Sequence, residues 1–243
     1  MSKRTVRLPD WEDVLSAAAR LRQVLPEAVL VGGAASATRA GHRVSQDADH
    51  VPADLREHYL EILRKLEKQA GWKTARATRP VQIPGTFDGI ETGVRQLVRA
   101  EPLETTTREF GGLTVTLPAE AEILRIKAVL ILKRNAVRDY VDFAALGEHL
   151  GDGNLAGAML NFDRLYPQES GESSLQQLLA QLSQPLPFDL RQADLKKYKH
   201  LSPRYHDWQD VRLICAGQAQ VIFEKVCPPL PGPDDAPSLK PEP

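Results

Sequence analysis

Residues 29–51, VLVGGAASATRAGHRVSQDADHV, decide the fold. The stretch opens with a short apolar run that suits a buried strand. Gly32 and Gly33 follow, where the backbone must turn sharply or come close to another group. The small residues 34–39 predict a short helix that Gly41 ends. The free N–H groups at the start of that helix would face any phosphate lying over the turn.

Two acidic residues, Asp47 and Asp49, close this stretch. In a strand, residues two apart point to the same face, so both carboxylates would project together. They repel each other unless a cation lies between them, and an oxygen-rich site of this kind suits Mg²⁺ or Mn²⁺. The alternatives remain open: a Gly-Gly pair is often only a turn, and an Asp-x-Asp is often a solvated edge or a helix cap.

The composition is that of an ordinary globular protein. The chain has 243 residues, 42% hydrophobic and 26% charged, and a net charge of −1. A non-specific nucleic-acid binder is usually more basic, so any polynucleotide contact would need a local patch. Two cysteines without metal spacing suit a reducing compartment. No run of eighteen apolar residues is present, and we expect a cytoplasmic protein with no membrane partner.

The order of predicted elements gives an α+β class: a mixed β-sheet with helices on one side, followed by a helical C-terminal half. A helix over 10–25 precedes the opening stretch, and another follows over 52–70. The β pattern runs from 72 to 117, with hairpin turns predicted at Asp88-Gly89 and Gly111-Gly112. We therefore divide the chain into an α/β core over 1–117, a helical half over 118–227 that completes the active site, and a disordered tail over 228–243.

The helical half carries its own candidate residues. A helix over 119–133 holds Lys127 within an apolar surround, where the lysine either extends its head to a polar site or only snorkels at the edge of a core helix. Asp139 and Asp142 share a face of the next helix, and alone could be charges that the helix dipole favours. Further helices are predicted over 155–165, 173–182 and 207–226. A basic stretch over 193–201 is a solvated loop or a polynucleotide-contacting patch.

Two motifs together resemble a known family. The first is Gly-Gly-x-x-x-x-x-Arg-x-Gly-His-Arg-x-Ser-x-Asp-x-Asp, over 32–49, which is similar to the first motif of the polymerase-β-like nucleotidyltransferases. The second is Leu-x-x-Lys, then Lys-Arg, then Arg-Asp-x-x-Asp-x-x-x-Leu, over 124–146. Their order and spacing resemble the AbiEii/AbiGii-type nucleotidyltransferases, the toxins of abortive-infection toxin–antitoxin pairs. The resemblance covers residues 28–147.

The resemblance implies roles for particular residues. Asp47 and Asp49 would hold Mg²⁺ or Mn²⁺, and Lys127 and Asp142 would complete the catalytic set. The remaining nucleotide-binding candidates are Gly32, Gly33, Ser45, Arg39, Arg43, Arg138 and Asp139. The reaction implied is transfer of a nucleoside monophosphate from an NTP to an acceptor hydroxyl or phosphate on RNA (such as tRNA) or protein, with a cognate antitoxin as a further partner.

One departure from the family pattern bears on activity. A third carboxylate usually joins the first two from a neighbouring strand, where it acts as general base and helps to hold a metal. At the matching place this sequence has Gln96, with Glu91 nearby at an uncertain register. Two further hypotheses therefore stand beside the enzyme: a weak or inactive nucleotide- or partner-binding module on the same fold, and an antitoxin-regulated scaffold whose helical half is the interaction surface.

Overall fold

The computed structural model describes residues 10–52, 54–75, 79–97, 99, 101–110 and 112–227. A five-stranded sheet lies at the centre of the N-terminal half, in the strand order β1-β2-β5-β4-β3. Strands β2 and β5 run parallel, and the other neighbours are antiparallel. The predicted α+β class with a mixed sheet is confirmed. The strands are β1 (Val29–Val31), β2 (Asp47–Val51), β3 (Trp72–Thr74), β4 (Gln82–Phe87) and β5 (Ile90–Arg95).

The helices follow the order read from the sequence. In the described residues they are α1 (Trp11–Val24), α2 (Gly32–Ala40), α3 (Leu55–Glu67), α4 (Glu120–Arg134), α5 (Val137–Met159), α6 (Phe162–Leu165), α7 (Ser174–Ser183) and α8 (Trp208–Val226). Gly41 ends α2 in the left-handed conformation, as predicted. The predicted helix over 155–165 is divided between α5 and α6. Gly151 interrupts α5 with a φ of 71°, a conformation that glycine adopts without steric cost.

One face of the sheet is buried under α1 and α3. Leu21, Leu55 and Ile62 of these helices form a buried cluster with Ile83 and Val94 of the sheet. Because side chains alternate along a strand, the residues between these sheet positions point to the opposite face. That second face carries Asp47 and Asp49 and looks toward the helical half. The helices thus leave one side of the sheet available for a site.

The two predicted hairpins belong to different sheets. Asp88 and Gly89 join β4 to β5 with φ angles of 51° and 86°, as their turn signal predicted. The second hairpin consists of β6 (Thr105–Phe110) and β7 (Leu113–Pro118), which pair only with each other and form a separate two-stranded sheet. Of its predicted Gly-Gly turn, Gly111 lies outside the described residues, as does the tail over 228–243 that was predicted to be disordered.

Candidate active site

A cavity of about 480 Å³ opens over the free face of the sheet. Its floor is formed by β2 and β5, and its walls by the first turn of α2, by α4 and by a segment near residue 198. The lining residues on which the site depends are Gly32, Gly33, Arg43, Ser45, Asp47, Asp49, Glu91, Arg95, Lys127, Arg134, Arg138, Lys197 and Lys199. The cavity therefore lies between the sheet and the helical half, where both motifs meet.

Asp47 and Asp49 face this cavity from β2. Their register partners on β5 are Glu91 and Gly93, and paired residues share a face of the sheet. The Ser45 hydroxyl donates a hydrogen bond of 2.6 Å to Asp47 Oδ1. Burial raises the pKa of the Asp49 carboxyl, the negative charge of Asp47 adds to this effect, and the nearby guanidinium of Arg95 opposes it. This repulsion between neighbouring carboxylates is the condition under which a cation is stabilised between them.

The two glycines are required by separate constraints. Gly32 has a φ of +72°, which an L side chain rarely adopts, and a Cβ there would lie 3.7 Å from the Asp49 carboxylate. Gly33 has no such φ, but a Cβ there would lie 2.6 Å from Arg43 Nη2 and 2.7 Å from Ser45 Oγ. The first turn of α2 is thus packed directly against groups that line the cavity.

We expect Gly33→Ala to weaken nucleotide binding by about tenfold, because the new methyl group must displace Arg43 and Ser45 from their carboxylate partners at a cost of about 1–3 kcal/mol. Isothermal titration calorimetry with an NTP and Mn²⁺ measures this. Gly217→Ala is the matched control, because Gly217 lies in α8 with no atom within 4 Å of the new Cβ. Unchanged affinity in Gly33→Ala would contradict the role given to this turn.

A buried ionic network around Asp142 lies behind the cavity wall. Asp142 is completely buried. Its carboxylate accepts hydrogen bonds from Arg43 Nε at 2.7 Å and Arg43 Nη2 at 2.9 Å. Its Oδ1 lies 2.7 Å from His42 Nε2, and its Oδ2 lies 2.7 Å from Lys127 Nζ. Although burial opposes ionisation, these cationic and hydrogen-bonding partners hold the pKa of Asp142 well below its usual range.

Lys127 connects this network to Asp139. Its Nζ lies 3.6 Å from Asp139 Oδ1, and Asp139 is also held by two hydrogen bonds from Arg134. Only 1% of the Lys127 side chain is exposed, so this lysine does not snorkel at the edge of a core helix. Lys127 lines the cavity while its ammonium group is held by two buried aspartates. The second motif therefore forms one ionic unit at the back of the site.

The structure separates the site residues predicted from sequence into two sets. Those that line the cavity are Gly32, Gly33, Arg43, Ser45, Asp47, Asp49, Lys127 and Arg138. Asp139 and Asp142 lie behind the wall and reach the cavity only through Lys127, Arg43 and Arg134. Arg39 is not among the residues that line the cavity, so its predicted phosphate contact stays a prediction. Its Nη1 lies 3.3 Å from Glu120 Oε1, because the last turn of α2 points away from the cavity.

The residue at the predicted position of the third carboxylate, Gln96, borders the cavity, as Glu91 does. Gln96 follows the last residue of β5, and alternation places its side chain away from the face of Asp47 and Asp49. Its amide oxygen accepts a hydrogen bond of 2.9 Å from the Arg56 backbone N–H, and its amide nitrogen donates to the carbonyl of Leu97. Glu91, by contrast, is exposed and is paired in register with Asp47. The carboxylate beside the pair is therefore Glu91.

The segment around Tyr198 lines the cavity, although the sequence did not predict this position. The Val44 N–H donates a hydrogen bond of 2.9 Å to the Lys199 carbonyl, and the Ser202 N–H donates one of 2.7 Å to the His42 carbonyl. These two bonds fix the segment beside Arg43, so that Lys197, Tyr198 and Lys199 line the cavity. The basic composition of residues 193–201 was the only signal in the sequence, because hydrogen bonds such as that between Val44 and Lys199, which are 155 residues apart, leave no local pattern.

Part of the cavity lining is apolar. Val31 and Val51 lie there with Leu97 and Ile126, and these residues belong to one hydrophobic cluster. The cavity lining thus includes both cationic and apolar residues. This combination suits a ligand with a charged part and a planar or apolar part.

The donor set fits a hard divalent cation that shares its ligands with a substrate. Among the residues that the structure describes, no three His, Cys, Asp or Glu side chains come together as a complete metal site. Mg²⁺ typically keeps several waters and takes only one or two carboxylates together with substrate phosphates. Asp47 and Asp49 supply such a pair on the lining of the cavity.

The fold is that of a nucleotidyltransferase. A crystal structure described as a putative nucleotidyltransferase from H. pylori superposes with a TM-score of 0.50 and 16% sequence identity, over 93% of this chain and 97% of the other. At this level of identity the likeness establishes the fold alone. No family model matches the sequence.

Among curated proteins, the chain is similar to parts of much longer mycobacterial ones. It is 27% identical over 231 residues to the heme uptake protein MmpL11 of Mycobacterium tuberculosis (strain ATCC 25618 / H37Rv), covering 89% of this chain and 23% of that protein. It is 29% identical over 130 residues to the mycolic acid-containing lipids exporter MmpL11 of Mycolicibacterium smegmatis, covering 52% of this chain and 13% of that protein. The chain thus spans less than a quarter of either relative. In the described part of the chain, no helix is long and apolar enough to cross a membrane.

Proposed function

We propose that this protein is a metal-dependent nucleotidyltransferase that moves a nucleoside monophosphate from an NTP to an acceptor hydroxyl or phosphate. The observation that carries this proposal is the position of Asp47 and Asp49, side by side on β2 and facing a cavity beside the first turn of α2. Seven cationic residues line the same cavity against three acidic ones, which favours a polyanionic ligand. The nucleotidyltransferase-like fold supports the proposal.

Different residues would bind the phosphates and the base of a nucleotide. The N–H groups of the first turn of α2, together with Ser45 and Arg43, would hold phosphates. The apolar strip of Val51, Leu97 and Ile126 would lie against the base. Arg43 cannot shift freely, because two of its three donating nitrogens, Nε and Nη2, are hydrogen-bonded to Asp142. The phosphate end of the site would therefore be rigid before substrate arrives.

Mg²⁺ or Mn²⁺ held by Asp47 and Asp49 would supply charge neutralisation on the transferring phosphoryl group. Lys127 would place positive charge at the wall nearest the leaving group. Its two aspartate partners hold the ammonium in one position. Asp142 and Asp139 act through Lys127, Arg43 and Arg134, and so are positioning residues. Glu91 would accept the proton of the attacking acceptor hydroxyl, because it is the carboxylate beside Asp47 that is open to the cavity.

We expect Glu91→Gln to lower the transfer rate by about 10²–10⁴-fold, the usual cost of losing a general base. We expect Gln96→Asp to give no gain, because that side chain lies toward Arg56 and away from the metal-facing carboxylates. Single-turnover rates for the two variants make the comparison. A faster Gln96→Asp enzyme, or an unimpaired Glu91→Gln enzyme, would show that the base has been assigned to the wrong residue.

The function is tested by incubating the purified protein with NTPs, Mg²⁺ and either total RNA or a protein mixture, and measuring NTP consumption and pyrophosphate release. We expect consumption that requires the metal and one class of acceptor. The Asp152→Asn variant is a matched control, since Asp152 is exposed on α5 outside the cavity. Absence of NTP binding at millimolar concentration with either Mg²⁺ or Mn²⁺ would contradict the proposal.

The second candidate is a nucleotide-binding module without turnover. It is favoured by one observation: Lys127 already has two aspartate partners, so its charge is largely balanced before a phosphate binds. Tight NTP binding without transfer to RNA or protein would establish this alternative.

The biological setting is proposed from the two motifs. Their resemblance to AbiEii-type proteins supports a toxin of a toxin–antitoxin pair, with RNA as the first acceptor to test. We also propose that residues 1–117 and 118–227 act as two parts of one active site, because the cavity lies between them. The haem-uptake and lipid-export roles in the names of the mycobacterial relatives refer to proteins of which the matched part is 23% or less, and we propose neither for this chain.

A further inference from the structure

Arg95 forms an ion pair with Asp49, one of the two carboxylates proposed to hold the metal. It is the last residue of β5, on the same face as Glu91 and Gly93. Its Nε lies 3.2 Å from Asp49 Oδ1. Gly93 lies between them, and a Cβ there would be 3.1 Å from the same oxygen. Because Gly93 has no side chain in the way, the guanidinium of Arg95 reaches Asp49 on the neighbouring strand β2.

This ion pair differs from those behind the cavity wall. The Arg95 side chain is 48% exposed and that of Asp49 is 23% exposed, whereas Lys127 and Asp142 are almost fully buried. Asp49 is also the only ion-pair partner of Arg95 among the described residues. A half-exposed pair of this kind contributes only about 0–1 kcal/mol. Arg95 can therefore leave Asp49 at little cost, whereas Arg43 cannot leave Asp142.

A divalent cation and Arg95 compete for Asp49. Both interact with its carboxylate oxygen, and their positive charges repel each other. This repulsion would favour release of the guanidinium into the cavity that Arg95 lines. A guanidinium matches the geometry of a phosphate group with two parallel hydrogen bonds. The released side chain is then close to the phosphates that the metal carries.

We propose that Arg95 exchanges partners during substrate binding: it is the counter-ion of Asp49 in the empty site and a phosphate ligand when the metal and nucleotide are bound. This inference rests on the proposed function, since it takes an NTP with a divalent cation as the ligand. It gives Arg95 two opposite effects. The residue opposes binding of the metal alone and assists binding of the metal with its nucleotide.

The test compares Mn²⁺ binding, measured by electron paramagnetic resonance, with binding of each NTP in the presence of saturating Mn²⁺, measured by calorimetry. For Arg95→Gln we expect Mn²⁺ alone to bind about three- to tenfold more tightly, and the NTP about tenfold more weakly. Arg95→Lys keeps the repelling charge and should bind Mn²⁺ alone as the wild type does. Arg204→Gln is the matched control, because Arg204 forms a half-exposed ion pair with Glu148 outside the cavity.

The two measurements separate the possible outcomes. Opposite changes in Arg95→Gln support the exchange. Weaker binding of both ligands would mean that Arg95 is merely structural, and tighter binding of both would mean that it never contacts phosphate; either result overturns the inference while the proposed function stands. A wild-type protein that binds neither Mn²⁺ nor an NTP would overturn the proposed function as well.

Discussion

The Asp49→Asn variant should lose nucleotidyl transfer by roughly 10²–10⁴-fold, because the metal supplies several kcal/mol of charge stabilisation and would lose one of its two carboxylates. The fold should survive. Burial and the charge of Asp47 raise the pKa of Asp49, so this ionised carboxylate opposes folding. Its removal should leave the free energy of unfolding unchanged or slightly higher. Single-turnover kinetics and urea denaturation measure the two effects.

The free energy of unfolding of the wild type should also depend on pH through Asp49. A carboxyl whose pKa is raised in the folded state binds more protons there than in the unfolded chain, so wild-type stability falls as the pH rises from the ordinary value of 3.8 through the raised pKa of Asp49. The Asn variant lacks that decrease. A loss of several kcal/mol in Asp49→Asn at neutral pH would show that the carboxylate is instead a structural ion-pair partner.

The largest effect on stability is expected for Asp142→Asn. This change leaves the charges of Lys127 and Arg43 buried without their shared carboxylate, and breaking a buried ion pair costs about 3–5 kcal/mol. Asn keeps the size of the side chain, so the loss reports charge more than packing. Chemical denaturation measures it, and Asp152→Asn on the exposed part of the same helix is the control.

Two further measurements test the origin of that loss. The pKa of Asp142 is lowered in the folded protein, so its contribution is present above the unfolded value of 3.8 and disappears as the pH falls through the lowered pKa. The difference in stability between wild type and Asp142→Asn should therefore shrink in acid. A second replacement, Lys127→Met, should restore part of the stability in the double variant. If Asp142→Asn changes the free energy of unfolding by less than about 1 kcal/mol, the network is not the ionic unit that its distances indicate.

The first motif could be predicted from sequence because its signals are local. Gly41 was predicted to end a helix because glycine readily adopts the left-handed conformation that closes a helix C-terminus. Asp47 and Asp49 were predicted to share a face because side chains alternate along a strand. The Asp88-Gly89 hairpin likewise follows from two adjacent residues that tolerate positive φ. These elements depend on neighbours in the chain, and the structure has them as predicted.

The rest of the site depends on contacts between distant segments. The register of β2 against β5 decides that Glu91, and not Gln96, lies beside Asp47, and no local pattern fixes the register of a parallel pair. The position of Arg39 depends on a similar contact, because it pairs with Glu120, 81 residues away. The burial of Asp142 depends on Arg43 and Lys127 arriving from two other elements.

The central claim is that the cavity transfers the α-phosphate of an NTP. It is tested most directly by parallel reactions with α-³²P- and γ-³²P-labelled NTP, Mg²⁺ and the acceptor fraction that supports NTP consumption. We expect the α label to become attached to the acceptor while the γ label is released as pyrophosphate, and Asp49→Asn to attach the α label about 10²–10⁴-fold more slowly. Attachment of the γ label, or attachment of the α label at an equal rate by Asp49→Asn, would contradict it.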